Sequence, residues 1–192
     1  MDDIVGRLQS AFPSHQLDVI IGSLLGDARL ECRSQGIRAS YTARFRVHHG
    51  EKQKDYVYWK YQMLKDLVSR EPYKIKWRNE KRNLNEVSWF FHTKTLKNFG
   101  IIHEIFYKNG RKIFPKEILP IFTDVMLAVW FKDRHQWKIA IGSFDYQRFI
   151  DTITPYIPKA MSYKIGNPRI DLLSRKRAEP ATLVGANTSV SG

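Results

Sequence analysis

One carboxylate draws attention by its place in the chain. Residues 19–30 run VIIGSLLGDARL, an apolar stretch threaded with small residues that ends on Asp27. Gly22 and Gly26 lie four apart, so on a helix they share a face and let a second backbone approach closely. Ile20, Ile21, Leu24 and Leu25 fill the sides of that helix. A helix C-terminus already carries partial negative charge, so an acid there is mildly unfavourable unless a cation balances it. A tight helix–helix seam that delivers a carboxylate at its end suits a metal-dependent nuclease at a symmetry axis. A buried helix with a chance terminal acid is the plainer reading of this segment alone.

Two further stretches repeat cations at every second residue. Across residues 38–47, Ala39, Tyr41, Ala43, Phe45 and Val47 alternate with Arg38, Ser40, Thr42, Arg44 and Arg46. After Pro72, Tyr73, Ile75 and Trp77 alternate with Lys74, Lys76 and Arg78. A period of two is that of a strand, and it offers guanidinium and ammonium donors at a spacing that suits phosphates and guanine edges. Solvated outer faces of a sheet would account for the same pattern. The whole chain holds 32 Lys+Arg against 19 Asp+Glu, a net charge of +13. On a small chain this favours a polyanionic partner, nucleic acid ahead of membrane.

Other classes drop out by composition. A single cysteine, Cys32, excludes an intrachain disulfide and a Cys-rich zinc site, and it packs as a small side chain in a reducing compartment. No stretch reaches membrane-spanning length and the first residues lack an apolar leader core. The expectation is therefore neither secretion nor insertion, but the cytoplasm or nucleoid of a prokaryote, or an organelle matrix.

The elements that must hold these residues follow from periodicity. Residues 2–11 predict a short helix broken before Pro13, and Ser14 is placed to cap the glycine-bearing helix. Ser34-Gln35-Gly36 marks a turn into the first hairpin, at residues 38–47. Residues 54–68 return to helical spacing, with Val57, Tyr61, Leu64, Leu67 and Val68 inward. The second hairpin uses 73–78 and 87–93, and a helix follows over 96–106. Asn109-Gly110 marks a loop. Residues 119–132 predict a second apolar helix with Pro120 near its start, followed by a strand at 137–141 and a helix at 144–154. Beyond about residue 173 the composition predicts a disordered tail. The order helix, hairpin, helix, hairpin, helix describes an α+β unit with one sheet face covered by helices.

In that order the pieces resemble the LAGLIDADG homing endonucleases. The first motif is carried by Ile20-Ile21-Gly22-Ser23-Leu24-Leu25-Gly26-Asp27-Ala28, the second by Leu127-Ala128-Val129-Trp130-Phe131-Lys132-Asp133-Arg134-His135, and the closing stretch by PYIPKAMSYKIG at 155–166. The resemblance spans about residues 17–166. It implies an α+β fold, an αββαββα repeat with a four-stranded DNA-binding sheet, followed by a truncated second repeat. The corresponding segments are an N-terminal helix at 1–16, a first repeat at 17–118, a shortened second repeat at 119–172 and the tail at 173–192.

The resemblance also implies roles. Gly22 and Gly26 would meet Leu127 and Ala128 in a seam of the two motif helices. Asp27 would bind a divalent metal, Mg²⁺, and Asp133 would be the metal ligand of the second motif. Lys112 and Lys164 match active-site lysines, catalytic beside Asp27. Arg38, Arg44, Arg46, Lys74, Lys76 and Arg78 would contact double-stranded DNA. Two departures stand out. Arg134 occupies the position of the second acid, with Asp133 one residue earlier and so about 100° around a helix. The second repeat also lacks a first hairpin and its helix. Three readings stay open: a divalent-metal-dependent endonuclease, complete or impaired; a non-cleaving nucleic-acid binder such as an intron maturase, with RNA as partner; and an inactive deletion relic. Monomer and homodimer, the latter with two copies of Asp27 at the axis, are both open too.

Overall fold

The computed structural model describes residues 4–32, 43–81, 83–132, 141–142 and 144–165. Helix α1 (Ile4–Ala11) leads through Pro13 into α2 (Ser14–Leu25). Pro13 is the N-cap residue and its carbonyl accepts from the amides of Gln16 and Leu17, so Ser14 is the first helical residue rather than the cap. From Val19 to Leu25 every residue of α2 is buried. It is the central helix of the fold.

The chain then forms β1 (Arg29–Cys32), β2 (Ala43–Gly50), α3 (Lys54–Met63), β3 (Tyr73–Asn79), β4 (Leu84–His92) and α4 (Lys97–Phe106). The four strands make one antiparallel sheet in the order β1-β2-β4-β3. The two hairpins therefore meet through β2 and β4. Ala43, Phe45 and Val47 of β2 and Phe91 of β4 turn one face toward the helices, where they join Ile20, Ile21, Leu24, Val57, Tyr61 and Phe99 in the core. Each of the larger side chains contributes roughly 1.5–3 kcal/mol by leaving water. Lys60 of α3 is also fully buried there. Its Nζ lies 3.2 Å from His49 Nε2 and 4.3 Å from the centre of the Tyr56 ring.

Beyond α4 a two-stranded hairpin, β5 (Tyr107–Lys108) and β6 (Arg111–Lys112), turns at Asn109-Gly110. Both turn residues have positive φ (51° and 71°), which Asn and Gly tolerate best. A 3₁₀ segment (Lys116–Ile121) precedes α5 (Asp124–Lys132), and α6 (Tyr146–Ile153) leads into 3₁₀ turns at Thr154–Tyr156 and Lys159–Lys164.

Several sequence expectations shift. The first hairpin pairs residues 29–32 with 43–46, so its first strand begins directly after the turn at Asp27; Arg38 lies outside the described residues. The helix expected at 54–68 stops at Met63 and continues as a 3₁₀ turn, Lys65–Leu67. Strand β4 begins at Leu84 because its pairing with β3 runs out to Asn79. The second apolar helix begins at Asp124, not near Pro120, because the Thr123 hydroxyl accepts from the Met126 amide and caps it. The strand expected at 137–141 falls almost wholly outside the described residues, and so does the tail. No helix among the described residues is long and apolar enough to cross a membrane.

Candidate active site and nucleic-acid face

Helix α5 packs along α2 with Gly22 at the contact. A methyl group on Gly22 would stand 2.7 Å from the Met126 carbonyl oxygen and 2.8 Å from Val129 Cβ. Only glycine permits that approach. The facing residues are thus Met126 and Val129, three apart on one side of α5. Ala128 is buried, Leu127 is half-exposed, and Gly26 lies one residue past the end of α2 as its C-cap. A second tie sits at the other end of the seam, where the Thr123 hydroxyl donates to Asp18 at 2.8 Å. With α5 in place, the glycine face of α2 is covered at Gly22.

The turn after α2 carries Asp27. The amides of Gly26 and Ala28 both donate to the Ser23 carbonyl, which folds the chain sharply from helix into β1. Asp27 is half-buried, with Oδ1 shielded from solvent. Lys112 reaches this turn from β6. Its ammonium donates to the carbonyl of Gly26 at 3.0 Å and to that of Ala28 at 2.8 Å, one on each side of Asp27. A cation is favourable there because the last carbonyls of a helix carry its negative end. The β5–β6 hairpin that supplies Lys112 is itself pinned to the sheet. The Leu30 amide donates to the Tyr107 hydroxyl at 3.0 Å, and the Tyr107 ring stacks on His103. Burial pushes the Tyr107 hydroxyl above its ordinary range. Sequence reasoning missed Tyr107, since its partner lies 77 residues away.

The chemistry of the donors decides whether a metal fits. Among the described residues no group of three or more His, Cys, Asp or Glu converges on one point. A Mg²⁺ ion does not need one, because it takes one or two carboxylates and completes its shell with water and substrate phosphates. The hard carboxylate of Asp27 fits that role. Asp133, Arg134 and His135 lie outside the described residues, and Lys164 ends the last 3₁₀ segment. Burial pushes the Cys32 thiol up, away from a nucleophile's role.

The open face of the sheet begins two residues after Asp27. Register pairs Arg29 with Arg46 and Glu31 with Arg44, so these four side chains share a face. Arg46, Arg29 and Arg44 all donate to Glu31, at 2.6, 2.7 and 3.0 Å. Burial alone would raise the Glu31 carboxyl, but the hydrogen bonds from Arg46, Arg29 and Arg44 outweigh it and hold the group at about 2. The Arg46 guanidinium also lies over the Phe90 ring, 4.6 Å from its centre. Burial and the charges of Arg46 and Arg29 push His48 down, and its Nε2 sits 2.7 Å from Ser88 Oγ.

Across the sheet, Tyr73 pairs with Phe90, Ile75 with Ser88 and Trp77 with Glu86, which puts these aromatic and apolar side chains on the same open face. Lys74, Lys76 and Arg78 pair with Trp89, Val87 and Asn85 and therefore lie on the opposite, helix-side face. There Lys74 is 3.8 Å from Glu51, which also accepts from the Trp89 indole. Of the six cations expected to contact DNA, the five among the described residues are not brought to one face. Arg44 and Arg46 share a face with each other, and the β3 set does not join them.

With this geometry in hand, the chain is similar to several known proteins. A model of the LAGLIDADG DNA endonuclease family matches residues 17–140. The chain is 30% identical over 126 residues to the DNA endonuclease I-ChuI of Chlamydomonas applanata, a match covering 62% of this chain and 56% of that protein. It is 28% identical over 132 residues to Protein RecA of Mycobacterium shimoidei, covering 69% of this chain and 28% of that protein. The chain thus spans between about a quarter and a little over half of these curated relatives. Among solved structures, the homing endonuclease I-WcaI bound to its DNA recognition sequence superposes with a TM-score of 0.67 at 16% identity, covering 85% of this chain and 92% of that one. That likeness establishes the fold: a mixed helix and sheet architecture around a four-stranded antiparallel sheet.

Proposed function

Because the chain belongs to the LAGLIDADG DNA endonuclease family, we propose that it hydrolyses phosphodiester bonds of double-stranded DNA at a long recognition site, with a divalent cation such as Mg²⁺ held by Asp27. The observation that carries this reading is the Lys112 ammonium bonded to the carbonyls on both sides of Asp27. When bound, the cation supplies a hydroxide nucleophile and charge stabilisation at the phosphate. The chain's own residues prepare the place. Asp27 presents a carboxylate at the end of the seam. Lys112 fixes the turn that carries it, and its positive charge offsets both the helix end and an approaching phosphodiester.

The duplex lies on the open face of the sheet, where Arg29, Arg44 and Arg46 supply donors and Tyr73, Ile75 and Trp77 extend the surface. Asp133 as the acid of the second motif and Lys164 as a second lysine complete the proposal by their place in the family's motifs. Since α5 occupies the glycine face of α2, the chain works with its own second helix rather than with a second copy of Asp27. The DNA in the I-WcaI structure supports duplex DNA as the partner.

The test is a cleavage assay on a randomised duplex library, with Mg²⁺ and with chelator, run beside Asp27→Asn. Cutting by the unaltered chain should need the metal. It should fall roughly 10²–10⁴-fold in Asp27→Asn, the several kcal/mol that a catalytic metal supplies, while binding persists. Cutting that survives the substitution overturns the assignment of Asp27. Binding without cutting in the unaltered chain points to the non-cleaving reading instead.

A further inference from the structure

An acid stands in the middle of the surface offered to a polyanion. Glu31 accepts from Arg29 at 2.7 and 3.1 Å, from Arg44 at 3.0 and 3.3 Å, and from Arg46 at 2.6 Å. The cluster is built into the sheet, because the register of β1 and β2 sets the four residues side by side. Arg44 and Arg46 are only 20% and 23% exposed, while Arg29 at 57% is the outer member. The Arg46 guanidinium also lies over the Phe90 ring, 4.6 Å from its centre. A surface built for affinity alone has no use for this carboxylate, since it neutralises one of three charges that would otherwise meet phosphate. Each phosphate contact steepens the fall of log K with log salt by roughly 0.9.

A carboxylate shared by guanidiniums does offer geometry. A free arginine finds phosphates irrespective of sequence, whereas one held in a fixed plane can donate to N7 and O6 of guanine together. We propose that Glu31 is a specificity-determining positioning residue, holding Arg44 and Arg46 in the planes that read guanine edges in the major groove and keeping them off the phosphates. This rests on the reading of the chain as a duplex-binding protein. Glu31 touches no base in this role; it acts through the arginines.

The experiment uses the full chain and two probes: a random-sequence duplex titrated across a salt series, and selection from a randomised duplex library. Glu31→Gln should bind the random duplex more tightly, with a salt slope steeper by about one, and should select sites with weaker base preference. Arg44→Gln, which leaves Glu31 bonded to Arg29 and Arg46, should lose preference at one position while its slope changes by less than about half a unit. The proposal is overturned by a Glu31→Gln protein with the original slope and preferences. It is equally overturned if Arg44→Gln lowers the slope by about one with preferences intact, which would make that guanidinium a phosphate contact. Failure of the unaltered chain to retain any duplex is a different result, and it removes the duplex-binding reading itself.

Discussion

Strands β2 and β3 carry the same alternation of cations with apolar residues, yet the sheet turns their cations to opposite sides. In β2 the apolar set, Ala43, Phe45 and Val47, lies under the helices, and Arg44 and Arg46 face outward. In β3 the apolar set, Tyr73, Ile75 and Trp77, faces outward, and Lys74, Lys76 and Arg78 share the helix side. The strands differ in what covers them. β2 is central and packs on α3 and α4, so burial of its apolar side chains sets its orientation. β3 is an edge strand and buries none of its residues, so its orientation follows from its hydrogen-bond register with β4. An alternating pattern names two faces; only a packing partner says which is inward.

The comparison can be broken most forcefully at β2. Replacing Arg44 and Arg46 together by alanine should weaken duplex binding roughly 10²-fold or more, at about 1–3 kcal/mol per base-contacting arginine, as read by titration at fixed salt. Gly22→Ala strikes the helical layer that orients β2. Its methyl group meets backbone and Val129, and the overpacking should lower stability by about 1–3 kcal/mol, measured by denaturant unfolding. Lys112→Met removes the cation that fixes the Asp27 turn and should reduce cleavage more than binding.

On the other strand, Lys74→Ala with Lys76→Ala should change affinity less than about threefold, the scale of exposed charges screened by salt. An effect as large as that of the arginine pair would show that the two faces are not functionally distinct. A further contrast is read by pH. The Glu31 carboxyl is held at about 2, below its ordinary 4.5, so its contribution to stability is fully present above about 4.5 and is lost as pH falls through 2. Melting temperatures of the unaltered chain and Glu31→Gln should therefore differ above pH 4.5 and converge toward pH 2.

Much of this was legible locally. The apolar run before Asp27 is a buried helix, Gly22 is where a second helix touches it, and Asn109-Gly110, expected as a loop, is the turn of the β5–β6 hairpin. Local signals misled where a stronger one lay nearby. Pro120 resembled a helix start, but the Thr123 hydroxyl had an amide to cap and Pro120 fell in a 3₁₀ segment instead. On α5 the residues nearest Gly22 are Met126 and Val129, on either side of Leu127 and Ala128, and only the approach of α2 distinguishes them. Glu31 gave no signal of its own. An acid two residues from an arginine is commonplace until β2 arrives with Arg44 and Arg46 alongside.

The sequence by itself determined the central buried helix, the order of helices and hairpins, the close approach at Gly22, the acid just after α2 and the basic character of the chain. These depend on periods of 2 and 3.6 residues and on side-chain volume, all written within a few positions of the chain. Tertiary structure alone decided which basic strand faces outward, that Lys112 holds the carbonyls on both sides of Asp27, and that three arginines converge on Glu31. Those outcomes depend on hydrogen-bond register and close packing between segments far apart in the chain, and no local pattern encodes which distant segment will supply the partner.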